Sequence, residues 1–247
     1  MYLCLDVGNT TICIALCENK TIIKQFRLDT ANLQQNHKLE KILQENIGKV
    51  FIDGIIISSV VPSINPYLEN VFKKFYDTKL LFVHNAMRHN INIKITNPSE
   101  LGSDLLISSI AASQKYSGNK IIVDLGTATK VLVVKDNDFL GGAISPGFKS
   151  SLNSLFNDAE KLDEVPINKP RSVIGNSTLT CIQSGMVYGT VSMIEGMISR
   201  IEEKIGKCKV LLTGGNALYI KDVLAIDFEY NPDLLIEGLI ELYDNNK

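Results

Sequence analysis

The segment at residues 120–134, KIIVDLGTATKVLVV, repeats the pattern of residues 2–16, YLCLDVGNTTICIAL. Each copy has an apolar strand-like run, an aspartate, a glycine two positions later, a turn with threonine, and a second β-branched run. One copy alone would be an ordinary hairpin, because Asp, Gly and Asn are common turn residues. Two copies in register, with Asp6 aligned to Asp124 about half the chain away, predict duplication of a whole lobe.

Both turns have the composition of a phosphate-binding loop. Glycine lets backbone N–H groups approach phosphate closely, and short hydroxyl side chains leave room for it. The aspartates add a place for Mg²⁺ or another cation beside the phosphates. The chain has neither a Walker A motif nor a GxGxxG fingerprint. The duplicated turn therefore predicts an ATP-dependent kinase in which positioning and electrostatics supply the catalysis.

Composition narrows the class of protein and of partner. The chain has 247 residues, 45% of them hydrophobic, which is enough to bury a sizeable core in one or two lobes. The net charge of -2 and the pI of about 6.0 argue against a nucleic-acid partner, because such surfaces concentrate Lys and Arg. No apolar run approaches the ~20 residues of a membrane span, and no signal-peptide pattern opens the chain. We therefore expect a cytoplasmic protein with small-molecule partners and no membrane or nucleic-acid partner.

The cysteines show no pattern of a metal site or a disulfide framework. Their number is odd, and neither CxxC nor Cys/His ligand spacing is present. Most lie in apolar runs, so we expect buried free thiols. The residues concerned are Cys4, Cys13, Cys17, Cys181 and Cys208.

Two further motifs lie at the ends of apolar segments. Thr213-Gly214-Gly215 comes after a short strand at residues 210–212; it would let backbone pack against a flat ligand such as adenine, or it is a plain strand-end turn. Asp104, after Gly102 and Ser103, lies where an apolar helix begins. It is either a general base for a substrate hydroxyl or an acidic residue favoured in the first turn of a helix.

Helical spacing predicts a long helix from Met186 to Ile205, with apolar residues at intervals of three and four. Such a helix either belongs to the core or faces a partner subunit. The core placement is the commoner explanation for this spacing.

Together these motifs resemble the acetate and sugar kinase, Hsp70 and actin superfamily, whose members place ATP between two ribonuclease-H-like lobes. More narrowly, the chain resembles type III pantothenate kinase over nearly its whole length and in the family's order. The resemblance implies an α/β fold of two ribonuclease-H-like lobes, the actin-like ATPase fold, related by internal duplication and spanning residues 1–117 and 118–247. It rests on residues 6–10, 97–104, 124–129, 141–147, 175–178 and 213–215.

The resemblance implies ATP-dependent phosphorylation of the primary hydroxyl of pantothenate to 4'-phosphopantothenate, the first step of coenzyme A biosynthesis, by a homodimer. It also implies Mg²⁺ with ATP, with Asp6 as the candidate ligand, and a monovalent cation, K⁺ or NH₄⁺, ligated by Asp124. Asp104 is the expected proton acceptor. The expected ATP contacts are Asp6, Val7, Gly8, Asn9, Thr10, Thr11, Ile12, Cys13, Gly126, Thr127, Gly214 and Gly215. The expected pantothenate contacts are Gly102, Ser103, Asp104, Leu105 and Thr178.

Three positions depart from the family's pattern. In the family the first motif reads Gly-Ala-Asp-Arg, and this chain has Leu105 in place of the arginine. The second motif reads Thr-Thr-x-Asp, and this chain has Lys130 in place of the second threonine and Leu132 in place of the aspartate. Loss of the arginine removes a charge-assisted contact and predicts substrate binding weaker by about 1.5 to 3 kcal/mol. Lys130 is expected to restore positive charge or to face phosphate. Two alternatives stay open: a regulatory relative that has lost catalysis, and a kinase of the same superfamily with another small hydroxyl substrate.

Overall fold

The computed structural model describes residues 1–33, 38–48, 50–157, 166 and 168–247. Its strands are β1 (Tyr2–Val7), β2 (Thr11–Glu18), β3 (Thr21–Asp29), β4 (Gly54–Ser59), β5 (Lys79–Phe82), β6 (Asn92–Ile93), β7 (Asn119–Leu125), β8 (Ala128–Lys135), β9 (Asp138–Pro146), β10 (Lys209–Thr213) and β11 (Glu229–Tyr230). Its helices are α1 (Lys38–Asn46), α2 (Asn65–Phe75), α3 (Ser103–Lys115), α4 (Phe148–Asn157), α5 (Thr178–Ile205) and α6 (Leu234–Asn246). No helix within these described ranges is long and apolar enough to cross a membrane.

Contacts divide the chain into two compact units. The first comprises Met1–Ile91, Thr96–Gln114 and Asp233–Lys247, and the second comprises Asn92–Ile95 and Lys115–Pro232. A single boundary after residue 117 stays a prediction for the domains, but these units cross it. In particular, α6 packs with the first unit although the predicted division places it in the second lobe.

The first unit is built on a five-stranded sheet in the order β3-β2-β1-β4-β5. The pairs β1–β2 and β2–β3 are antiparallel, and β4 and β5 follow in parallel to β1. Alternate residues of β1, Leu3, Leu5 and Val7, are fully buried in a core that also contains Leu68 and Phe72 of α2. Cys4 on the opposite face of β1 is also fully buried, as expected for a strand that is covered on both faces.

The second unit repeats this arrangement. Its sheet has the order β11-β10-β7-β8-β9-β6, with β7, β8 and β9 antiparallel and with β10 and β11 parallel to β7. Strand β6 adds a further parallel partner at the β9 edge. Ile121 and Val123 of β7 pack in one buried cluster with Val187 and Ile194 of α5. The shared strand order confirms the predicted duplicated α/β fold of two ribonuclease-H-like lobes.

Helix α6 belongs to the first unit because of close ring and backbone packing. The Tyr243 ring stacks on Tyr2 of β1 with 4.4 Å between ring centroids. Gly238 lies so close to the Ile107 backbone of α3 that a Cβ would have no room. A side chain at Gly238 would therefore push α6 away from α3.

Helix α5 begins earlier than the helical spacing predicts. The predicted start is Met186, but the helix starts at Thr178 because a capping box precedes it. The Ser177 hydroxyl accepts a hydrogen bond from the Thr180 N–H, and the Thr180 hydroxyl accepts one from the Ser177 N–H. These bonds satisfy backbone donors that a helix start otherwise leaves unpaired.

Candidate functional site

The first Asp-x-Gly turn joins β1 to β2 and is held at its base. The Gly8 N–H donates to the Thr11 carbonyl oxygen at 3.0 Å. Thr30 ties the turn down twice: its hydroxyl donates to the Gly8 carbonyl at 2.7 Å, and its N–H donates to the Thr10 carbonyl at 3.0 Å. Asn9 and Thr10 remain exposed at the tip. The turn is thus a fixed loop whose exposed tip carries hydroxyl and amide side chains.

Asp6 lies just before this turn, in a row of three side chains across the sheet. Its strand register places it opposite Cys13 of β2 and opposite Ser58 of β4. Residues paired in this way project to the same face of the sheet. Val7 and Ile12 project into the core and are fully buried, so only their backbone groups can meet a ligand.

The Cys13 thiol in this row is held in its neutral form. Burial raises its pKa most; Arg27, which faces it from β3, lowers the pKa, the Asp6 carboxylate raises it, and the net shift is upward. The Gln25 side-chain amide donates to the sulfur at 3.1 Å. Asp6 therefore has an uncharged cross-strand neighbour.

Asp104 lies in the first turn of α3, and the start of this helix is bonded to the end of β4. The Ser58 hydroxyl donates to the Ser103 hydroxyl at 2.9 Å, and Ser103 donates to the Ser59 carbonyl at 3.3 Å. A Cβ on Gly102 would lie 2.7 Å from Asp104 Oδ1, so glycine leaves space for the carboxylate. The same oxygen accepts a hydrogen bond from the Leu105 N–H at 2.9 Å. Asp104 is thus held in place and only partly buried.

Ser58 and Ser59 are the site residues that sequence reasoning missed. Two hydroxyls end the otherwise apolar run of β4, and this change in polarity at a strand end was the available signal. Ser58 is fully buried and matters because it connects the Asp6 row to the helix that carries Asp104. Its role follows from sheet register, which the sequence alone does not specify.

A cavity of about 440 Å³ adjoins this helix start within the first unit. Asn85 shapes its wall, since its amide donates to the Pro98 carbonyl at 2.7 Å and to the Leu101 carbonyl at 3.3 Å. The lining mixes polar and apolar residues and includes no Lys or Arg; its residues are Ser59, Val83, His84, Asn85, Ala86, Ser99, Leu101 and Ser103. The cavity suits a small molecule with hydroxyl and amide groups.

The second Asp-x-Gly turn, between β7 and β8, is shorter and is braced from three sides. The Gly126 N–H donates to the Ala128 carbonyl at 3.0 Å. The Asn216 amide donates to the Gly126 carbonyl at 2.8 Å, and the Ser150 hydroxyl donates to the Thr127 carbonyl at 3.4 Å. Thr127 is exposed at the tip, where a phosphate group could approach it.

Asp124 differs from Asp6 in its cross-strand partner, which is Lys130 of β8. Lys130 Nζ lies 2.8 Å from Asp124 Oδ2, and the two side chains are only 16% and 10% exposed. On the other side of Asp124, strand β10 places Thr213. Among the described residues, the buried Thr213 hydroxyl has no hydrogen-bond partner.

Gly214 brings β10 against the Asp124 carboxylate. Its φ of +89° favours glycine, and a Cβ there would lie 2.6 Å from Asp124 Oδ1 and 2.5 Å from the Leu125 carbonyl. Gly215 differs, because a Cβ on it would meet open space. The motif is therefore more than a plain strand-end turn: its first glycine is required for packing on Asp124.

The comparisons with known proteins identify the family. The family model described as type III pantothenate kinase matches residues 2–200. The type III pantothenate kinase of Exiguobacterium sibiricum is 33% identical over 253 aligned positions, which cover 100% of both chains. This chain belongs to the type III pantothenate kinase family.

Solved structures at lower identity agree on the fold. A candidate Baf family transcriptional activator from Campylobacter jejuni has a TM-score of 0.62 and 18% identity, covering 98% of this chain and 97% of that one. A candidate 2-dehydro-3-deoxygalactonokinase from Sinorhizobium meliloti has a TM-score of 0.62 and 11% identity, covering 98% and 96%. At these identities the likeness concerns the fold alone.

In this type III pantothenate kinase, the expected contact residues divide between the two units. The first unit holds residues 6–13 and 102–105, and the second holds Asp124, Gly126, Thr127, Gly214, Gly215 and Thr178. Within the first unit, hydrogen bonds and sheet register connect the Asp6 row to Asp104. Within the second, Asp124 and Gly214 are in direct contact, and Thr178 is exposed at the start of α5. The roles of these residues toward ATP and pantothenate stay predictions.

Proposed function

We propose that this protein transfers the γ-phosphate of ATP to the primary hydroxyl of pantothenate, giving 4'-phosphopantothenate for coenzyme A biosynthesis, with Asp104 as the proton acceptor. Membership of the type III pantothenate kinase family makes it a phosphotransferase and supports this substrate pair. The observation that carries the role of Asp104 is its fixed, partly exposed carboxylate at the start of α3. The residue before it, Ser103, is hydrogen-bonded to Ser58 of β4, the strand beside Asp6.

Proton acceptance requires a carboxylate within hydrogen-bond reach of the attacking hydroxyl. Gly102 supports such an approach, because the absence of a Cβ leaves the Asp104 carboxylate uncovered on that side. The adjoining cavity is the proposed place for the acceptor, with Ser103 at its edge. The remaining proposed pantothenate contacts are Gly102, Leu105 and Thr178.

We assign the phosphates of ATP to the two turns. The exposed tips at residues 9–11 and at Thr127 carry N–H and hydroxyl groups, and both turns are braced by hydrogen bonds. Gly214 and Gly215 are proposed to lie near the adenosine. Phosphoryl transfer of this kind is helped by groups held in place before the reaction, since little covalent chemistry falls to the protein.

The kinase family implies ATP with a divalent metal. Asp6 fits the metal as a single carboxylate ligand beside a phosphate-binding turn. Within the described ranges no group of three or more His, Cys, Asp or Glu side chains could hold a metal by itself. Asp6 would therefore share the ion with phosphate oxygens and water, and the bound metal would neutralise charge on the β- and γ-phosphates.

A monovalent cation on Asp124 does not fit the residues present. The Lys130 ammonium already neutralises this carboxylate at 2.8 Å. A K⁺ ion about 4 Å from an ammonium would be repelled by about 4 kcal/mol at an effective dielectric constant of about 20, and this repulsion offsets about two-thirds of the attraction of about 6 kcal/mol that a carboxylate about 2.8 Å away offers. The Thr213 hydroxyl, which has no partner among the described residues, adds one neutral oxygen and no further charge. K⁺ or NH₄⁺ at Asp124 is therefore not part of the proposed mechanism.

Leu105 is the feature that sets the expected affinity for pantothenate. The family's arginine at this position would offer a cation to the substrate carboxylate, and Leu105 offers none. We expect a raised KM for pantothenate rather than loss of turnover. This departure also favours testing other small hydroxyl compounds as acceptors.

The deciding experiment incubates the purified protein with ATP and Mg²⁺, with and without pantothenate, and detects phosphopantothenate by mass spectrometry. Product formation supports the proposal. ATP binding without product would favour a regulatory relative, and product from another member of a hydroxyl-compound panel would favour a different acceptor. Fractionation of cells expressing the tagged chain tests the expected cytoplasmic location.

Replacing Asp104 by Asn tests the proposed base. The variant keeps the size of the side chain and loses the proton acceptor, so kcat should fall by about 10²- to 10⁴-fold with ATP binding retained. Asp77→Asn is a matched control, because Asp77 is an exposed acid of the first unit outside the site. Turnover of Asp104→Asn equal to that of the control would rule out this role.

The homodimer is also part of the proposal. Helix α5 carries two large apolar side chains, Leu179 and Met193, that are at least one-third exposed. A second copy covering this face would remove them from water. Light scattering of the purified protein tests the assembly, and a monomeric mass at assay concentration would contradict it.

A further inference from the structure

We propose that Lys130 is a built-in cation for Asp124, so that this enzyme needs no K⁺ or NH₄⁺ for its activity. This inference rests on the proposed function, because it concerns the electrostatics of the same phosphate-binding turn. Its basis is the ion pair of Lys130 Nζ and Asp124 Oδ2 at 2.8 Å. Lys130 acts here as a positioning residue through Asp124.

The sheet, rather than a flexible contact, sets this pair. Asp124 and Lys130 face each other directly across the antiparallel strands β7 and β8. The next pair on the same face is Ile122 with Leu132, and both of those side chains are buried. The lysine stem therefore lies along apolar surface, and its ammonium ends at the carboxylate.

Across β7 and β8 the carboxylate of Asp124 faces the ammonium of Lys130, and Leu132 supplies no acid at the next position on this face. Gly214 closes the other side of the carboxylate, since even a Cβ there would lie 2.6 Å from Oδ1. A free cation would thus add an uncompensated charge to an already neutral and mostly enclosed pair.

The position explains why such a cation matters. Asp124 is the last residue but one of β7, just before the turn at Gly126 and Thr127, whose tip is the proposed phosphate contact. A mostly buried carboxylate without a counter-charge is costly and would loosen the turn that it precedes. The ammonium removes this cost in every salt, because it is part of the chain.

Salt substitution combined with variants of Lys130 tests the inference. Wild type, Lys130→Thr and Lys130→Arg are compared in KCl, NH₄Cl and tetramethylammonium chloride at one ionic strength. Lys135→Thr is the matched control, an exposed lysine on the same strand. The readouts are the melting temperature, the ATP dissociation constant and the rate of phosphopantothenate formation.

For wild type, Lys130→Arg and the control, each readout should have the same value in all three salts. Lys130→Thr should bind ATP about tenfold more weakly in tetramethylammonium than wild type and recover in K⁺ or NH₄⁺, with a matching rise in melting temperature. A wild type that requires K⁺ would overturn the inference. So would a Lys130→Thr variant that loses ATP affinity without any recovery, which would mean that Lys130 contacts phosphate directly.

The readouts separate this inference from the proposed function. If wild type forms no phosphopantothenate in any salt, the proposed function fails, whereas the melting and ATP-binding data still test the ion pair. If Lys130→Thr does not fold, the comparison of wild type with Lys130→Arg still decides whether added K⁺ or NH₄⁺ changes ATP affinity or rate. Equal values in all salts would support the inference, and a K⁺ or NH₄⁺ requirement in either protein would contradict it.

Discussion

The two Asp-x-Gly turns share a topology and differ in the charge beside their aspartates. In the first unit Asp6 faces the neutral thiol of Cys13, whereas in the second Asp124 faces the ammonium of Lys130. Both aspartates occupy the same place on equivalent strands of the two sheets. One backbone design therefore supports two electrostatic arrangements: the proposed metal ligand Asp6 has an uncharged neighbour on β2, and Asp124 has a cationic neighbour on β8.

The residue on the other side of each aspartate differs as well. Ser58 pairs with Asp6, and its hydroxyl donates to Ser103. Thr213 pairs with Asp124, and its hydroxyl has no partner among the described residues. The first row is connected to a helix start, and the second row ends at its ion pair.

The largest expected difference in stability comes from neutralising each aspartate. Asp124→Asn leaves the mostly buried Lys130 ammonium without its counter-charge and should lower the free energy of unfolding by about 3 kcal/mol. Asp6→Asn faces an uncharged thiol and should cost about 1 kcal/mol, the scale of one hydrogen bond. Urea unfolding of both variants measures the difference. Equal costs would show that the charge beside Asp124 contributes nothing to folding.

A double-mutant cycle isolates the pair itself. Combining Asp124→Asn with Lys130→Met should give a coupling energy of about 1 to 3 kcal/mol, since contacting charged residues are not additive. The matched cycle of Asp6→Asn with Cys13→Ala should give less than about 0.5 kcal/mol. Coupling of the same size in both cycles would contradict the contrast drawn between the turns.

The glycines in and beside the two turns give the next effect. Gly214→Ala places a Cβ against the Leu125 carbonyl and the Asp124 carboxylate at a positive φ, and it should cost about 2 to 3 kcal/mol. Gly8→Ala meets the Thr11 carbonyl at 3.1 Å and should cost about 1 kcal/mol. Gly126→Ala, with its nearest contact at 3.7 Å, is the control. Thermal unfolding ranks the three variants, and a Gly214→Ala variant as stable as Gly126→Ala would refute the close packing.

The duplicated fold could be predicted because each turn lies between apolar runs whose polarity changes at the same place. The position of Asp104 at a helix start could be predicted for a similar reason, because Gly102 and Ser103 precede an apolar helix. The residues that face each aspartate across the sheet could not be predicted from the sequence. The first turn is one residue longer than the second. An ungapped alignment therefore matches Lys130 to Ile12, whereas Cys13 is the residue that lies opposite Asp6.

Other parts of the fold depend on contacts distant in sequence. The position of α6 in the first unit follows from the Tyr243 and Gly238 packing, which no local pattern announces. The early start of α5 depends on the reciprocal bonds of Ser177 and Thr180, which lie before the apolar periodicity begins. The Lys130 ion pair requires both the register and the burial of β8 to be known.

The Cys13 thiol predicts a pH effect specific to the first turn. Burial raises its pKa above the usual 9.0, so the thiol stays protonated in the fold while the unfolded chain ionises. The contribution of the protonated thiol to the free energy of unfolding is complete below pH 9.0, the usual pKa, and is lost as the pH rises toward the pKa in the folded state. Above pH 9 the slope of unfolding free energy against pH should be shallower in Cys13→Ala by up to about 1.4 kcal/mol per pH unit. Cys13→Ser, which also lacks the thiol, should match it; an unchanged slope in both would contradict the assignment.

The smallest effect should distinguish the two hydroxyls that flank the aspartates, and it should differ in sign. Thr213→Val replaces a buried hydroxyl without a described partner by a methyl of similar size and should raise stability by up to about 1 kcal/mol. Ser58→Ala removes a hydroxyl that donates to Ser103 and should lower stability by about 1 kcal/mol. Chemical unfolding without nucleotide measures both. Loss of stability in Thr213→Val would mean that the Thr213 hydroxyl stabilises the row of Thr213, Asp124 and Lys130. The hydroxyls beside the two aspartates would then act alike, although the charges beside the aspartates differ.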